Sequence, residues 1–357
     1  MYTLEDLGWD AYFQQQLTAQ PNIEGAEPAR VAEELKGAYR IINQRGVVSA
    51  FLPGRFLHAA ASGGLPSAGD WVLARSLPGE DRALIERLLE RRTKLSRQQA
   101  GEKTGEQLLA ANVDIVFVVA SLNREYNVRR IERYLTAVWE SGARPILVLN
   151  KADLAENTAS ALAETQVAAP GVPVQLTSAA TGEGIEPLQR HLNPRETSVF
   201  VGSSGVGKSS IINRLAGREQ QAVHDVRSSD DRGRHTTTSR QLLVLPGRGV
   251  IIDTPGLREL QLWDGGGGAG QTFAEIAALA QRCAFRDCTH EREPGCAVRA
   301  ALEAEELDEG RLRSYRKLER ERLFIARKHD QSLQTEEKRK WKRIQKNNRQ
   351  RQRVRGR

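Results

Sequence analysis

The sequence predicts a multidomain chain: a small N-terminal β-barrel, a central α/β domain with a doubly wound parallel sheet, and a metal-binding helical domain that ends in a basic tail. Three observations point there. Short alternating runs broken by turns fill residues 37–98, the rhythm of a small all-β unit. Near-continuous apolar runs alternate with helical patterns over 99–262, as in a sheet buried on both faces. Three cysteines and a histidine crowd into 283–296, ahead of a run of arginine and lysine.

The elements follow in order. Residues 1–36 show no strong period and read as an N-terminal extension. In 37–98, AYRIINQ, GVVSAFL, RFLHAAA, GDWVLARS and ALIERLLE are separated by turn signals such as PG, SGG and PSAGD. Five short strands at this spacing suit an oligonucleotide-binding (OB-like) barrel, and an SH3-like one shares the periodicity. NVDIVFVVAS, RPILVLN, VPVQLTS, TSVFVG and GVIIDTPG then supply strands, with helical patterns such as NVRRIERYLTAVWES between them. GGGG at 265–268 reads as a flexible joint, 270–325 as the metal-binding helical domain and 326–357 as the basic tail.

With 357 residues, 39% of them hydrophobic, the chain is long enough for several packed cores. Its opening, MYTLEDLGWDAYFQQQL, lacks a basic start followed by an apolar stretch, and its densest apolar run, VDIVFVVA, is too short to span a bilayer. A cytoplasmic protein with no membrane partner is expected, and a monomer. The net charge of +8 is unevenly placed: residues 311–357 hold 19 of the 53 Lys/Arg but 5 of the 45 Asp/Glu, which leaves the body mildly acidic. A basic arm on such a body suits a polyanion, above all nucleic acid, through contacts that neutralise phosphates without reading sequence.

Gly202, Ser203, Ser204, Gly205, Val206, Gly207, Lys208 and Ser209 fit GxxxxGK[ST] between the strand TSVFV and the helix that opens with Ser210. In such a loop backbone N–H groups turn in around phosphate oxygens, the lysine reaches the β- and γ-phosphates and the serine ligates Mg²⁺. Asn150, Lys151, Ala152 and Asp153 (NKAD) follow the strand PILVL. A carboxylate at Asp153 can accept two parallel N–H bonds from the guanine edge, which adenine does not offer, so GTP is expected over ATP. Ser178 and Ala179, in SAATGEG, would set a backbone N–H on the guanine oxygen. Asp253 and Gly256, in DTPG, would hold Mg²⁺ through water and sense the γ-phosphate. Thr237, flanked by Thr236 and Thr238 in GRHTTT, is the expected switch hydroxyl.

Ordinary GTPases run phosphate loop, switch threonine, DxxG, NKxD, SA. Here NKxD and SA come first, and the cyclic order is otherwise the same, as in a circular permutation joined through HLNPRET at 191–197. The chain therefore reads as a circularly permuted P-loop GTPase. Leu257 stands where many GTPases place a water-orienting glutamine; slow intrinsic turnover follows, with His235 as the catalytic candidate.

Cys283, Cys288, His290 and Cys296 form C-x₄-C-x-H-x₅-C. A complete Cys₃His set leaves no open coordination position, so one structural Zn²⁺ is expected.

The permuted order, the barrel before the GTPase domain, RRTKLSRQQAG at their junction and the cysteine–histidine spacing together resemble the bacterial ribosome small-subunit-dependent GTPase family (RsgA, also called YjeQ), over residues from about 37 to 325. The resemblance implies an oligonucleotide-binding barrel, a permuted GTPase and a zinc domain. It implies a small ribosomal subunit partner whose rRNA stimulates hydrolysis, with a role late in that subunit's maturation. It also implies Asn150, Lys151 and Asp153 on guanine, residues 202–210 on phosphates and the four zinc ligands. Other readings are a GTP switch acting on another RNA or a protein, and a binding module with a vestigial pocket; intact Lys208, Asp153 and Asp253 speak against the latter.

Overall fold

The structure, a computed structural model, describes residues 2–19, 23–54, 56, 64–98, 106–217, 241–253 and 267–325. Strands β1 (Ala26–Leu35), β2 (Ala38–Asn43), β3 (Gly46–Phe51), β4 (Trp71–Ser76) and β5 (Arg82–Leu88) close a barrel in the order β1-β2-β3-β5-β4. Every neighbouring pair is antiparallel except β3 and β5. This is the five-stranded Greek-key arrangement of an oligonucleotide-binding barrel rather than an SH3-like one. Small and branched side chains, among them Val31, Ile41, Val72 and Ile85, fill it.

Strand β1 falls inside residues 1–36, which the sequence suggests are an extension. Arg30 and Glu33 are buried in β1, and two buried charges hide the apolar alternation that would have marked the strand. Helix α1 (Ala11–Ala19) precedes it, with Phe13 buried; Trp9 meets Trp71 edge-on at 4.8 Å between ring centroids. The start of the chain is thus packed onto the barrel. RFLHAAA, Phe56 apart, lies outside the described residues.

An antiparallel ribbon of β6 (Lys94–Gln98) and β7 (Glu106–Ala111) leads into a six-stranded sheet in the order β10-β9-β8-β11-β13-β12. Its strands are β8 (Ile115–Ser121), β9 (Arg144–Asn150), β10 (Val174–Leu176), β11 (Thr197–Val201), β12 (Gln241–Leu245) and β13 (Gly249–Asp253). All pairs are parallel except β12 with β13, so the doubly wound sheet carries one antiparallel edge. Every residue of β11 is buried and nearly every residue of β8, which accounts for their unbroken apolar runs. Around the sheet lie α2 (Val128–Ser141), α3 (Thr158–Ala168), α4 (Ile185–Gln189) and α5 (Lys208–Ala216). Helix α2 starts where the Asn127 side chain accepts the Arg130 N–H and stops at Gly142 in the left-handed conformation.

The link that re-cuts the sheet is packed into it. Glu196 O accepts from Val250 N at 2.9 Å, and a Cβ on Gly249 would sit 2.4 Å from both Asn193 O and Glu196 O. No larger residue at 249 fits beside the joined ends.

The C-terminal unit has α6 (Gly268–Thr272), α7 (Ala274–Ala280), α8 (Ala297–Glu303) and α9, which runs from 309 to 325. Gly268 is no loose hinge. It is buried against α2, where a Cβ would meet Thr136 O at 2.2 Å, so the glycine permits close helix approach. The other half of GGGG, 265 and 266, lies outside the described residues, as does the tail 326–357.

Candidate nucleotide site and metal centre

Strands β9, β11 and β13 end at the carboxyl edge of the sheet, β11 beside β13 and separated from β9 by β8, where open α/β sheets bind ligands. Asn150 closes β9, the phosphate loop leaves β11 at Gly202, and Asp253 closes β13, half-buried and opposite Gln241 in the ladder. The fold brings NKAD and the phosphate loop together across β8 and sets Asp253 on the strand next to the loop.

Asn150 is the knot. It is 1% exposed, its Nδ2 donates to Val206 O in the phosphate loop at 2.7 Å, and its Oδ1 accepts from Ala179 N at 3.0 Å and Thr177 Oγ1 at 3.2 Å. One amide side chain therefore ties NKAD, the phosphate loop and SAATGEG together. Gly207, φ +99°, sits against it: a Cβ there would lie 2.2 Å from Asn150 Nδ2. The glycine at that position is needed for the loop to reach the asparagine, beyond any freedom of φ.

Gly207 also caps α5 in the left-handed conformation without a side chain, so the first N–H groups of the helix face the loop's hollow. Lys208 Nζ donates to Gly202 O at 2.7 Å and Ser203 O at 2.8 Å, which holds the ammonium across the loop's mouth. From the flank, Arg130 of α2 donates to Ser203 Oγ at 2.9 Å. Lys151 adopts φ +63°, uncommon for a side-chain-bearing residue, and turns the chain into a single 3₁₀ turn, Ala152–Leu154, that leaves Asp153 exposed. Ala152 N donates to Thr177 O, Ser178 is fully buried with its hydroxyl accepting from Thr181 N, and Ala179 is buried. Of the backbone N–H groups in SAATGEG, that of Ala179 is directed at Asn150 Oδ1.

Ser204, Gly205, Ser209 and Ser210 occupy the loop and the first turn of α5. Thr237 and His235, with Thr236 and Thr238, lie outside the described residues, as do Gly256 and Leu257. Sequence reasoning missed Thr177, Arg130 and Arg214, whose contacts with the loops join residues distant in the chain. The phosphate loop and NKAD strings carry no mark of such partners.

The second site is in the C-terminal unit. The ligand atoms of Cys283, Cys288, His290 and Cys296 lie within 4.8 Å of one another. His290 Nδ1 is 3.7 Å from Cys283 Sγ and 3.5 Å from Cys296 Sγ, and the two sulfurs are 3.9 Å apart. A tetrahedron with Zn–S of about 2.3 Å and Zn–N of about 2.0 Å has sulfur–sulfur edges of about 3.8 Å and sulfur–nitrogen edges of about 3.6 Å. The edges among Cys283, His290 and Cys296 match those values and Cys288 Sγ lies within 4.8 Å of all three, so the donor set suits a tetrahedral ion. Burial and the neighbouring thiols of Cys296 and Cys283 push the Cys288 thiol up to about 11. Sulfurs this close resist joint ionisation, a cost that a bound dication reverses. His290 takes φ +61°, and its carbonyl accepts from Arg316 of α9, which anchors the ligand loop on that helix.

A phosphate loop, an NKxD strand end and an SA loop, converging on one sheet edge in permuted order, define a circularly permuted P-loop GTPase. A family model described as RsgA GTPase matches residues 88–263. Another, described as 50S ribosome-binding GTPase, matches 197–351 and so starts at the first residue of β11, where an unpermuted GTPase would begin. The chain is 47% identical to the small ribosomal subunit biogenesis GTPase RsgA of Opitutus terrae, over 99% of each chain. It is 42% identical to that of Syntrophotalea carbinolica, over 96% of this chain and 95% of that one. The crystal structure of YjeQ from Thermotoga maritima matches with a TM-score of 0.62 at 28% identity, covering 84% of this chain and 99% of that one. YloQ, a circularly permuted GTPase, matches with a TM-score of 0.59 at 24% identity, over 87% and 99% of the two chains, a likeness of fold. The chain belongs to the RsgA GTPase family and is a GTP-hydrolysing enzyme.

Proposed function

We propose that this GTPase converts GTP to GDP and phosphate in a cycle coupled to late maturation of the small ribosomal subunit, in the cytoplasm, with the subunit and its rRNA stimulating turnover. The observation that carries the site is the Asn150 knot, which makes base loop and phosphate loop parts of one pocket. The partner rests on relatives that bear the name of small-subunit biogenesis GTPases.

In this reading Gly202 through Ser210 surround the phosphates, with Lys208 exchanging the carbonyls of Gly202 and Ser203 for phosphate oxygens. Asn150, Lys151, Ala152 and Asp153 face the guanine from β9, and Ser178 and Ala179 close the other side. Ser209, Asp253 and Thr237 are the residues that would hold Mg²⁺, which when bound offsets phosphate charge. Gly256 senses the γ-phosphate and His235 orients water. Cys283, Cys288, His290 and Cys296 hold one structural Zn²⁺, and the monomer presents the barrel and basic tail to RNA.

The test is GTP turnover with and without purified small subunits. Stimulation by the subunits, loss of turnover by two orders of magnitude or more (about 10²-fold) in Lys208→Ala, and no ATP hydrolysis are expected. Equal stimulation by unrelated RNA would move the conclusion to another RNA target.

A further inference from the structure

Helix α5 begins in the phosphate loop, yet its last turn reaches the base side of the pocket. Arg214 stands six residues after Lys208; its Nε donates to Ala179 O at 2.8 Å and its Nη2 to Ala180 O at 2.5 Å. The guanidinium fork spans two successive carbonyls, a geometry that a lysine cannot copy. The loop leaves room for it with a glycine: a Cβ on Gly182, φ +94°, would lie 2.9 Å from Arg214 Nη1.

Those carbonyls fix the N–H groups behind them. In a trans peptide C=O and N–H point to opposite sides, so holding Ala179 O toward α5 turns the Ala180 N–H away from it, and holding Ala180 O does the same for Thr181. The Thr181 N–H indeed meets Ser178 Oγ at 3.1 Å on the inner side. From across the pocket Asn150 Oδ1 holds Ala179 N. The loop is thus stretched between Arg214 on one side and Asn150 on the other.

We infer that Arg214 is a positioning residue for guanine recognition: by gripping the carbonyls of Ala179 and Ala180 it orients the Ala180 N–H toward the 6-oxo group of the base, the N–H groups of Ala179 and Thr181 being taken by Asn150 and Ser178. This rests on the guanine-site reading above and adds the residue that sets the donor loop in place. It also connects the two halves of the pocket within one helix, since α5 presents Lys208 to phosphate and Arg214 to the base loop. Arg214 is exposed and holds one loop rather than the core, its bond to Ala179 O being half-buried and that to Ala180 O exposed. Its removal should therefore leave a folded protein with a slack loop.

The experiment measures equilibrium binding of GTP, GDP, ITP and ATP to the full chain, with steady-state kinetics and a thermal melt, for the native protein, Arg214→Ala and Arg214→Lys. GTP, GDP and ITP all carry the 6-oxo group, and ATP carries an amino group there. In Arg214→Ala the three oxo nucleotides should weaken together by about tenfold. The loss should appear in KM, with kcat at saturation kept within about twofold. ATP binding should stay as it was, and Arg214→Lys should recover part of the loss. Oxo-nucleotide affinities within twofold of native would overturn the inference, and so would an equal fall for ATP. A native protein that binds ATP as well as GTP would instead overturn the guanine-site reading itself, a separate result.

Discussion

At the barrel joint, Arg30 is 1% exposed and donates to Gly69 O at 3.1 Å, Asn112 O at 3.4 Å, Thr197 Oγ1 at 2.7 Å and Leu7 O, with Trp71 5.5 Å from its guanidinium carbon. At the zinc-domain joint, Arg311 is 5% exposed and meets Glu132 at 3.0 Å, Ala168 O at 2.9 Å, Thr272 O at 2.7 Å and Glu275, with Phe273 at 4.7 Å. Both arginines fasten the GTPase domain to a neighbour, but only one does so with carboxylates. Around Arg30 the acceptors are a hydroxyl and fixed peptide carbonyls from separate stretches of chain; burial pulls it down to about 10, against the pull of Asp114. Around Arg311 the central acceptor is Glu132, fully buried on α2 and shared with Arg129 and Ser314. At these two arginines the barrel contact is set by backbone geometry and the C-terminal one by complementary charge, although Arg92 adds a bridge from Asp10 to Asp114 at the barrel joint. The second kind of joint comes apart when either charge is removed.

Metal removal should separate the two most strongly. A structural zinc contributes roughly 10 kcal/mol or more to folding its own unit. A chelator should therefore abolish hydrogen-exchange protection in α7, α8 and the ligand loop while the barrel strands keep theirs. Loss of barrel protection at the same chelator concentration would mean that the joints are not independent.

Charge removal gives the next largest effect. Arg311→Met takes the buried guanidinium away from Glu132, leaving it the half-exposed Arg129 and the Ser314 hydroxyl, and should cost about 3 kcal/mol in chemical unfolding. Adding Glu132→Leu should recover the part that comes from the uncompensated carboxylate, because replacing both buried partners removes its desolvation burden, while the carbonyls of Ala168 and Thr272 stay unpaired. Arg30→Met should cost about 2 kcal/mol through unsatisfied carbonyls, and no second substitution recovers that, since peptide groups cannot be mutated away. A double variant no more stable than Arg311→Met would erase the distinction drawn between the joints.

The same contrast explains what could be read in the sequence. The phosphate loop and NKAD are contiguous strings whose residue types follow from local backbone duties, so Gly202 to Ser210 and Asn150 to Asp153 stood out. The four metal ligands did so through spacing alone. Arg30 and Arg311 did not, because Thr197 lies 167 residues from the first and Glu132 lies 179 from the second. A single charge in a polar stretch carries no sign of a partner so distant. Strand β1 was hidden for the same reason, its buried Arg30 and Glu33 reading as solvent-facing. Gly268 in GGGG looked like slack chain, and only the nearness of Thr136 O gives it a packing duty. Arg214 combined both difficulties: a basic residue in the last turn of a helix is ordinarily a dipole partner.

The smallest effect is one of sign. At the barrel joint burial raises Asp114 above its usual 3.8, against the Thr197 N–H and Arg92. At the joint with the C-terminal unit burial would raise Asp308 too, but the Arg311 N–H and the Arg129 guanidinium outweigh it and hold the carboxyl below 3.8. A raised carboxyl binds its proton more readily when folded, so stability attributable to Asp114 grows as pH falls from neutral through its raised value and levels off below about 3.8. A lowered one does the reverse: what Asp308 contributes is present above about 3.8 and is lost as pH falls through its folded value. Unfolding free energies of the native chain minus those of Asp114→Asn should therefore rise from pH 7 to pH 4. The same difference for Asp308→Asn should stay flat over that range and fall only below it. Two differences with the same slope between pH 7 and pH 4 would show that both carboxylates answer to the same environment, and the contrast between one in which burial prevails over its partners and one in which the partners prevail would not stand.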